Sequence, residues 1–248
     1  MCCFSRKVQK VADTKIFARG GKDGKQFLVY SMVFSSKEDL AMILPLPTPK
    51  ASGEKAVKFI SLKDYPDFFK DMHKAFVEET KEDKHGIAGG NKPPRGKKLE
   101  VVKVGSFEAS FVPTTKDFER LDERFKLPKG TWDDLPGYKE YGFAVFKLKK
   151  GEQKVHPMAF EFPRKDKEKL FFPTVHIHDG KVHKTATFDH ALYLQPSHGE
   201  DLLKWKESPG WATSYVKIDK TAGIVEKNAH LYYLALKGKL KNEDTWVS

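Results

Sequence analysis

The chain matches itself. FLVYSM at 27–32 aligns with FAVFKL at 143–148, and AMILPLP at 41–47 aligns with PMAFEFP at 157–163. Both alignments have the same offset of 116 residues, and Phe27/Phe143, Val29/Val145, Met42/Met158 and Pro47/Pro163 are identical. An offset that stays fixed across an intervening gap marks an internal duplication. Each copy reads as strand, turn, strand ending in Pro, then a further strand. The expected fold is therefore α+β: β-rich, with mainly antiparallel sheets from two related β units and a few short helices. The units run over about 14–80 and 130–208 of a single domain, 1–248.

The other elements follow local pattern. TKIFAR (14–19) and KQFLVYSMVF (25–34) flank GGKDG and predict a hairpin. LAMILPLP and AVKFISL are the next strands. YPDFFKDMHKAFVEET (65–80) predicts a helix with Phe68, Phe69, Met72 and Phe76 on one face. KEDKHGIAGGNKPPRGKK (81–98) is polar, basic and rich in Gly and Pro, and reads as a flexible loop. LEVVKVGSFEASFVPT gives two strands, and TKDFERLDERF (115–125) a short helix. YGFAVFKLKKGEQKVHPMAFEFP (141–163) reads as a hairpin-like pair. HGEDLLKWKES (198–208) predicts a short helix, and SYVKI and AHLYYLALKGKL the last strands.

Bulk numbers limit the partners. The 248 residues are 39% hydrophobic and include 19 Phe, enough for a substantial core. The net charge is +11, but only six residues are Arg: Arg6, Arg19, Arg95, Arg120, Arg124 and Arg164. Base and phosphate recognition leans on Arg forks, so dispersed lysines mixed with acids argue against nucleic acid and for a solvated basic surface. The longest apolar run, LAMILPLP, is too short to span a bilayer. Two adjacent cysteines, Cys2 and Cys3, give no disulfide framework, and no signal-peptide pattern follows Met1. These features predict a cytoplasmic protein in a reducing compartment.

Four of the nine histidines fall within 171–190: His176, His178, His183 and His190. Asp179-Gly180 is a strong two-residue hairpin signal. With that turn, His176 faces His183 and His178 faces Lys181, so strand alternation places His176, His178 and His183 on one face. Opposed Cβ atoms are about 4.5–5.5 Å apart, close enough for three imidazoles to meet one ion. The expected cofactor is zinc or another divalent transition metal. Asp189 shares the parity of His183 and would serve as fourth ligand or as a carboxylate orienting an imidazole. Glu161 would be the general base. His190 has the parity of the apolar side. At the offset of 116, His176 and His178 correspond to Ile60 and Leu62, which makes the histidine face an inward one. The plain alternative is an apolar-in, polar-out hairpin whose outer face is His and Lys.

The N-terminus offers a second chemistry. Removal of Met1 would expose Cys2, whose own amine could act as base, and Arg19 ends the first long strand. Cys2 with Arg19 superficially looks like an N-terminal-nucleophile amidohydrolase. The start as a whole, with its N-terminal cysteines, VADTKIFAR, QFLVYSM and AMILPLPTP, resembles an uncharacterised bacterial family in which a hydrophobic strand runs into a P-x-P step. That resemblance covers about the first quarter of the chain and implies no activity. Three functions stand as expectations. The first is a metal-binding protein of hydrolase type acting on a small-molecule or peptide substrate. The second is a Cys2 amidohydrolase. The third is a non-catalytic interaction or structural protein with a basic surface.

Overall fold

A computed structural model describes residues 2–77, 102–104, 107–121, 136–154, 156–177, 182–197 and 199–248. The 81–98 loop lies outside these residues. In chain order the strands are β1 (Cys2–Phe4), β2 (Lys10–Gly20), β3 (Lys25–Ser36), β4 (Leu40–Leu46) and β5 (Lys58–Ser61). Helix α1 (Phe68–His73) precedes β6 (Val102–Val104), β7 (Phe107–Val112), β8 (Gly142–Leu148), β9 (Gly151–Lys154) and β10 (Met158–Pro163). The chain ends with β11 (Leu170–Phe172), β12 (His176–Ile177), β13 (Thr185–Gln195), β14 (Lys206–Trp211), β15 (His230–Lys241) and β16 (Thr245–Val247). The protein is β-rich, its pairings are mainly antiparallel, and its described helices are short.

Among the described residues the strands form a six-stranded sheet, β12-β1-β4-β8-β7-β6, and an eight-stranded sheet. The latter runs β14-β15-β13-β2-β3-β10-β5, with β9 also paired to β3; β11 and β16 make a two-stranded ribbon. The large sheets face each other over one core. Leu40, Met42, Leu44 and Phe146 come from one side, and Leu28, Tyr30, Phe160 and Leu192 from the other. Burying each such side chain contributes roughly 1.5–3 kcal/mol. β4 is buried along its whole length because both of its faces are covered. Its even-numbered residues enter the sandwich core, while Ala41 and Ile43 pack under Val112, Phe118, Phe143 and Val145. LAMILPL is therefore a continuous apolar run instead of an alternating one.

The self-matching segments lie against each other. β3 pairs with β10, with Tyr30 opposite Met158, and β4 pairs with β8, with Met42 opposite Phe146. Moving Tyr30 and Met158 by the 116-residue offset lands on Phe146 and Met42, so the two segments are related by a local two-fold. Between these pairings β9 continues beside β3, with Val33 opposite Lys154 and Ser36 opposite Gly151. The hairpin-like pair expected over 141–163 does not form. β8 and β10 belong to different sheets and each takes a strand of the other matching segment as neighbour.

Four expected elements differ. SYVKI (214–218) forms no strand and joins the 3-10 turns Ala212–Ser214 and Ile218–Lys220. Among the described residues of 65–80 the helix is Phe68–His73, followed by one 3-10 turn over Lys74–Phe76 and an extended Val77; 78–80 lie outside the described residues. It lies on the outer face of the eight-stranded sheet, where Phe68, Phe69 and Met72 meet Phe17, Val29 and Tyr193. In the described part of the helix expected over 115–125, the chain makes a 3-10 turn, Thr115–Arg120, that places Phe118 on Phe143 with ring centres 5.0 Å apart; 122–125 lie outside the described residues. The helix over 198–208 is replaced by a turn and edge strand β14, where Pro209 costs no central ladder bond. No helix of the described residues is long and apolar enough to cross a membrane.

Helix α1 is fastened by a buried polar knot. Tyr65 Oη donates to Asp71 Oδ2 at 2.9 Å and accepts from the Lys217 amide at 2.9 Å. Asp71 is 4% exposed, and its other oxygen takes Lys74 Nζ at 2.6 Å. Tyr65→Phe keeps the ring but strands a carboxylate oxygen and an amide. We expect it to lower stability by about 1–3 kcal/mol in urea unfolding; an unchanged midpoint would mean that the knot is solvated in the folded chain.

Burial also makes stability pH-dependent. His73 and Tyr193 share a 2.7 Å hydrogen bond, and burial pushes the His73 value below its ordinary 6.5, helped by Lys15, Lys206 and Lys237 and opposed by Asp13. Burial lowers His156 as well. The unfolded chain thus binds these protons more readily than the folded one. The contribution is complete above the ordinary value and is lost as pH falls below it. Urea midpoints should drop between about pH 7.5 and 5.5, and His73→Gln should flatten that slope.

Candidate functional site

β12 runs parallel to β1, with Cys2 opposite His176 and Cys3 opposite Ile177. It does not fold back onto 182–183. Asn242, just past the end of β15, joins the two arms instead. Its Oδ1 accepts from the His176 amide at 2.7 Å, and its Nδ2 donates to the carbonyls of His176 and His183 at 3.0 and 2.9 Å. The His176 ring turns toward the apolar side, 4.6 Å from Phe188 and 4.7 Å from the buried His190. His183 is exposed. Asp189 accepts from the Asp13 amide at 2.9 Å, at the point where β2 bulges and Asp13 takes φ 54. His178 lies outside the described residues.

These placements overturn the metal-binding reading. Among the described residues no group of three or more His, Cys, Asp or Glu side chains is placed to hold an ion. The zinc-type hydrolase assigned to His176, His178, His183 and Asp189 rested on a shared polar face. That face is lost because β12 pairs with β1 and the His176 ring packs on Phe188.

The second predicted chemistry is divided between the sheets. Cys2 is in β1 of the six-stranded sheet, beside the buried thiol of Cys3. Arg19 is in β2 of the eight-stranded sheet. Arg19 is, however, brought toward Glu161. Register places Gln195, Arg19, Phe27, Glu161 and Lys58 in one row across five neighbouring strands. Glu161 Oε2 lies 3.4 Å from Lys25 Nζ.

Among the described residues, Arg19 is the centre of a polar cleft. Its Nε donates to the Ile224 carbonyl at 2.6 Å and one terminal nitrogen to the Gly223 carbonyl at 2.7 Å. The guanidinium also lies over the Phe27 ring, 4.9 Å from its centre. Two carbonyls and one ring thus fix the plane of the cation. Its second terminal nitrogen makes no hydrogen bond to a described residue. A cleft of about 310 Å³ opens beside it, lined by Gly20, Gly21, Lys22, Ser197 and Glu226 among others. Burial lowers the Arg19 value, while the carboxylates of Glu226 and Glu161 raise it from a distance. Neither carboxylate is in ion-pair contact with it.

The walls explain the two glycines. A Cβ on Gly20 would sit 2.0 Å from Ser197 Oγ, and one on Gly21 would be 3.3 Å from the Phe27 ring and 3.4 Å from Glu161 Oε1. Gln195 fixes the opposite wall, donating to the Glu226 carbonyl and accepting from its amide, both at 2.8 Å. ARGG was visible in the sequence as a strand end. Ser197, Gly223 and Glu226 carried no signal there, since they arrive from distant loops.

No family model matches the chain. Solved structures resemble it over nearly all its length. Baculovirus P35 does so at TM-score 0.47 and 15% identity, covering 97% of this chain and 96% of that one. A mutated baculovirus P35 after caspase cleavage gives 0.48 and 14%, with 96% and 99% covered. The caspase-8/P35 complex gives 0.45 and 13%, with 96% of each chain covered. At these values none of them assigns a functional residue to this chain.

The glycine wall has a direct test. Gly20→Ala should destabilise the fold by about 1–3 kcal/mol through the clash with Ser197. Adding Ser197→Gly should recover most of that loss, because the two residues share one contact. Additive effects in thermal melts would show that the close approach is not a constraint.

Proposed function

We propose that this chain is an interaction protein that binds acidic segments of other proteins through the Arg19 cleft. The observation that carries this reading is the fixed, partly desolvated Arg19 cation with donors left over in an open cleft. A preorganised guanidinium loses little on binding and suits a carboxylate. Lys22 at the rim adds a second positive charge. Glu226 and Glu161 repel a dianion more than a monoanion, which favours an Asp or Glu side chain over a phosphate. The net charge of +11 draws acidic partners from a distance. A buried Cys3 thiol outside any disulfide supports a reducing, cytoplasmic setting. The local two-fold between the matching segments supports descent from a duplicated strand pair.

The test uses a flexible Gly/Ser hexapeptide with one central Asp, capped at both ends, followed by amide shifts at Gly20 and Gly21. Arg19→Gln should weaken binding at least about tenfold, and Glu226→Gln should tighten it. Acetate should compete better than phosphate. Arg19 also holds the 223–224 turn, so Lys22→Gln serves as the variant that leaves the fold alone; it should weaken binding several-fold. A folded Arg19→Gln or Lys22→Gln chain that binds as tightly as the original would overturn the reading.

A further inference from the structure

Among the described residues, the eight-stranded sheet leaves part of β15 as an edge beyond its pairing with β14. β14 pairs with β15 only as far as Tyr233, through Lys206–Tyr233, Glu207–Tyr232 and Trp211–His230. β13 pairs with the opposite side of β15 through Lys241. Among the described residues, positions 234–241 therefore have a strand on one side only. Their sequence, LALKGKLK, alternates two chemistries. Lys237, Lys239 and Lys241 stand on the face shared with Asp189, Thr187 and Thr185. Leu236 and Leu240 stand on the other face, and Leu240 is 37% exposed.

The lysine face carries more cations than acids. Beside burial, Lys15, Lys206 and Lys237 each depress the proton affinity of His73; Asp13 opposes them and pairs with Lys15, and Asp189 stands opposite Lys237. Lys237 and Lys239 form no ion pair with a described residue. Lys241 pairs with Glu243. Gly238, at φ +87, lies between Lys237 and Lys239, and the pairing with β13 continues through it.

We infer that this edge docks an extended acidic segment of a partner protein by strand addition. An open edge offers a row of unpaired amides and carbonyls, and an added strand satisfies them whatever its sequence. The side chains then select the occupant. A second copy of this chain is disfavoured, because two such edges paired together would set lysines against lysines. A segment alternating acidic and apolar residues fits instead: its acids meet Lys237, Lys239 and Lys241, and its apolar residues continue the row of Leu236 and Leu240. This site is independent of the Arg19 cleft, which lies about 20–25 Å away along β13, near Gln195.

The experiment measures anisotropy of a labelled, end-capped peptide alternating Glu and Val, with amide exchange read on the full chain. Wild type should bind it, and added salt should weaken binding. Lys237→Glu with Lys239→Glu should weaken binding at least about tenfold and gain binding to a Lys–Val peptide. These lysines are exposed, so an unchanged melt shows that the variant is folded. Bound peptide should slow exchange at amides within 234–241, and Arg19→Gln should leave that protection unaltered. Three results would overturn the inference: unchanged affinity in the charge-reversed chain, protection elsewhere with the edge unprotected, or self-association through this edge in place of peptide binding.

Discussion

Segments 25–46 and 142–163 run antiparallel through both large sheets, and the remaining strands are added to that ribbon. β3 with β10 anchors the eight-stranded sheet, and β4 with β8 anchors the six-stranded one. The ribbon passes from one sheet to the other between these pairings, where the register of β9 on β3 differs by one residue from that of β10 on β3. Phe146 therefore meets Phe160 across the interface, 5.9 Å between ring centres, with Phe59 packed on both. Aromatic pairs of this kind add about 0.5–1.5 kcal/mol each beyond burial. Every other feature, including the Arg19 cleft at one end of β13 and the open edge at the other, takes its position from this frame.

The individual strands of the frame were legible because strand identity depends on local pattern. Which strands would pair was not legible. An antiparallel ribbon with a local two-fold and two separate hairpins have the same local sequence. Only the packing of both faces of β4 favours the ribbon, and that covering comes from Phe118 and Val112, far along the chain. The helix over 65–80 was over-read for a related reason: Phe68, Phe69, Met72 and Phe76 satisfy helical spacing, yet the same residues fill a sheet face after less than two turns of helix and a 3-10 turn.

The histidine segment shows where alternation misleads. VHIHDGKVH has ideal hairpin spacing, but a strand takes the partner that buries the most. β1 offers Cys3 beside Ile177, in a cluster with Val175 and Val145, and the backbone follows that apolar match. Asn242 then bonds the freed backbone groups of His176 and His183. Arg19 and Glu161 were visible as isolated charges on strands. Their neighbourhood was not, because Gly223, Ile224 and Glu226 belong to a loop without a recognisable pattern.

Lysines on an open strand edge are usually understood as protection, since they keep edges from pairing indiscriminately. Here the same residues also provide selection. Repulsion between like charges removes the commonest unwanted partner, another copy of the chain, and leaves the backbone groups available to a segment of opposite charge. Protection and recognition need the same exposed cations and differ only in whether an acidic strand is present. The Arg19 cleft applies the same charge rule with a different geometry: one cation, fixed by two carbonyls and a ring, reads a single carboxylate, where the edge reads an alternating row. A partner engaging both must carry its acids in two settings, one isolated and one in a strand. Joining two modest contacts through one chain raises affinity by effective concentration without any new contact, provided the intervening segment spans the length of β13 between them.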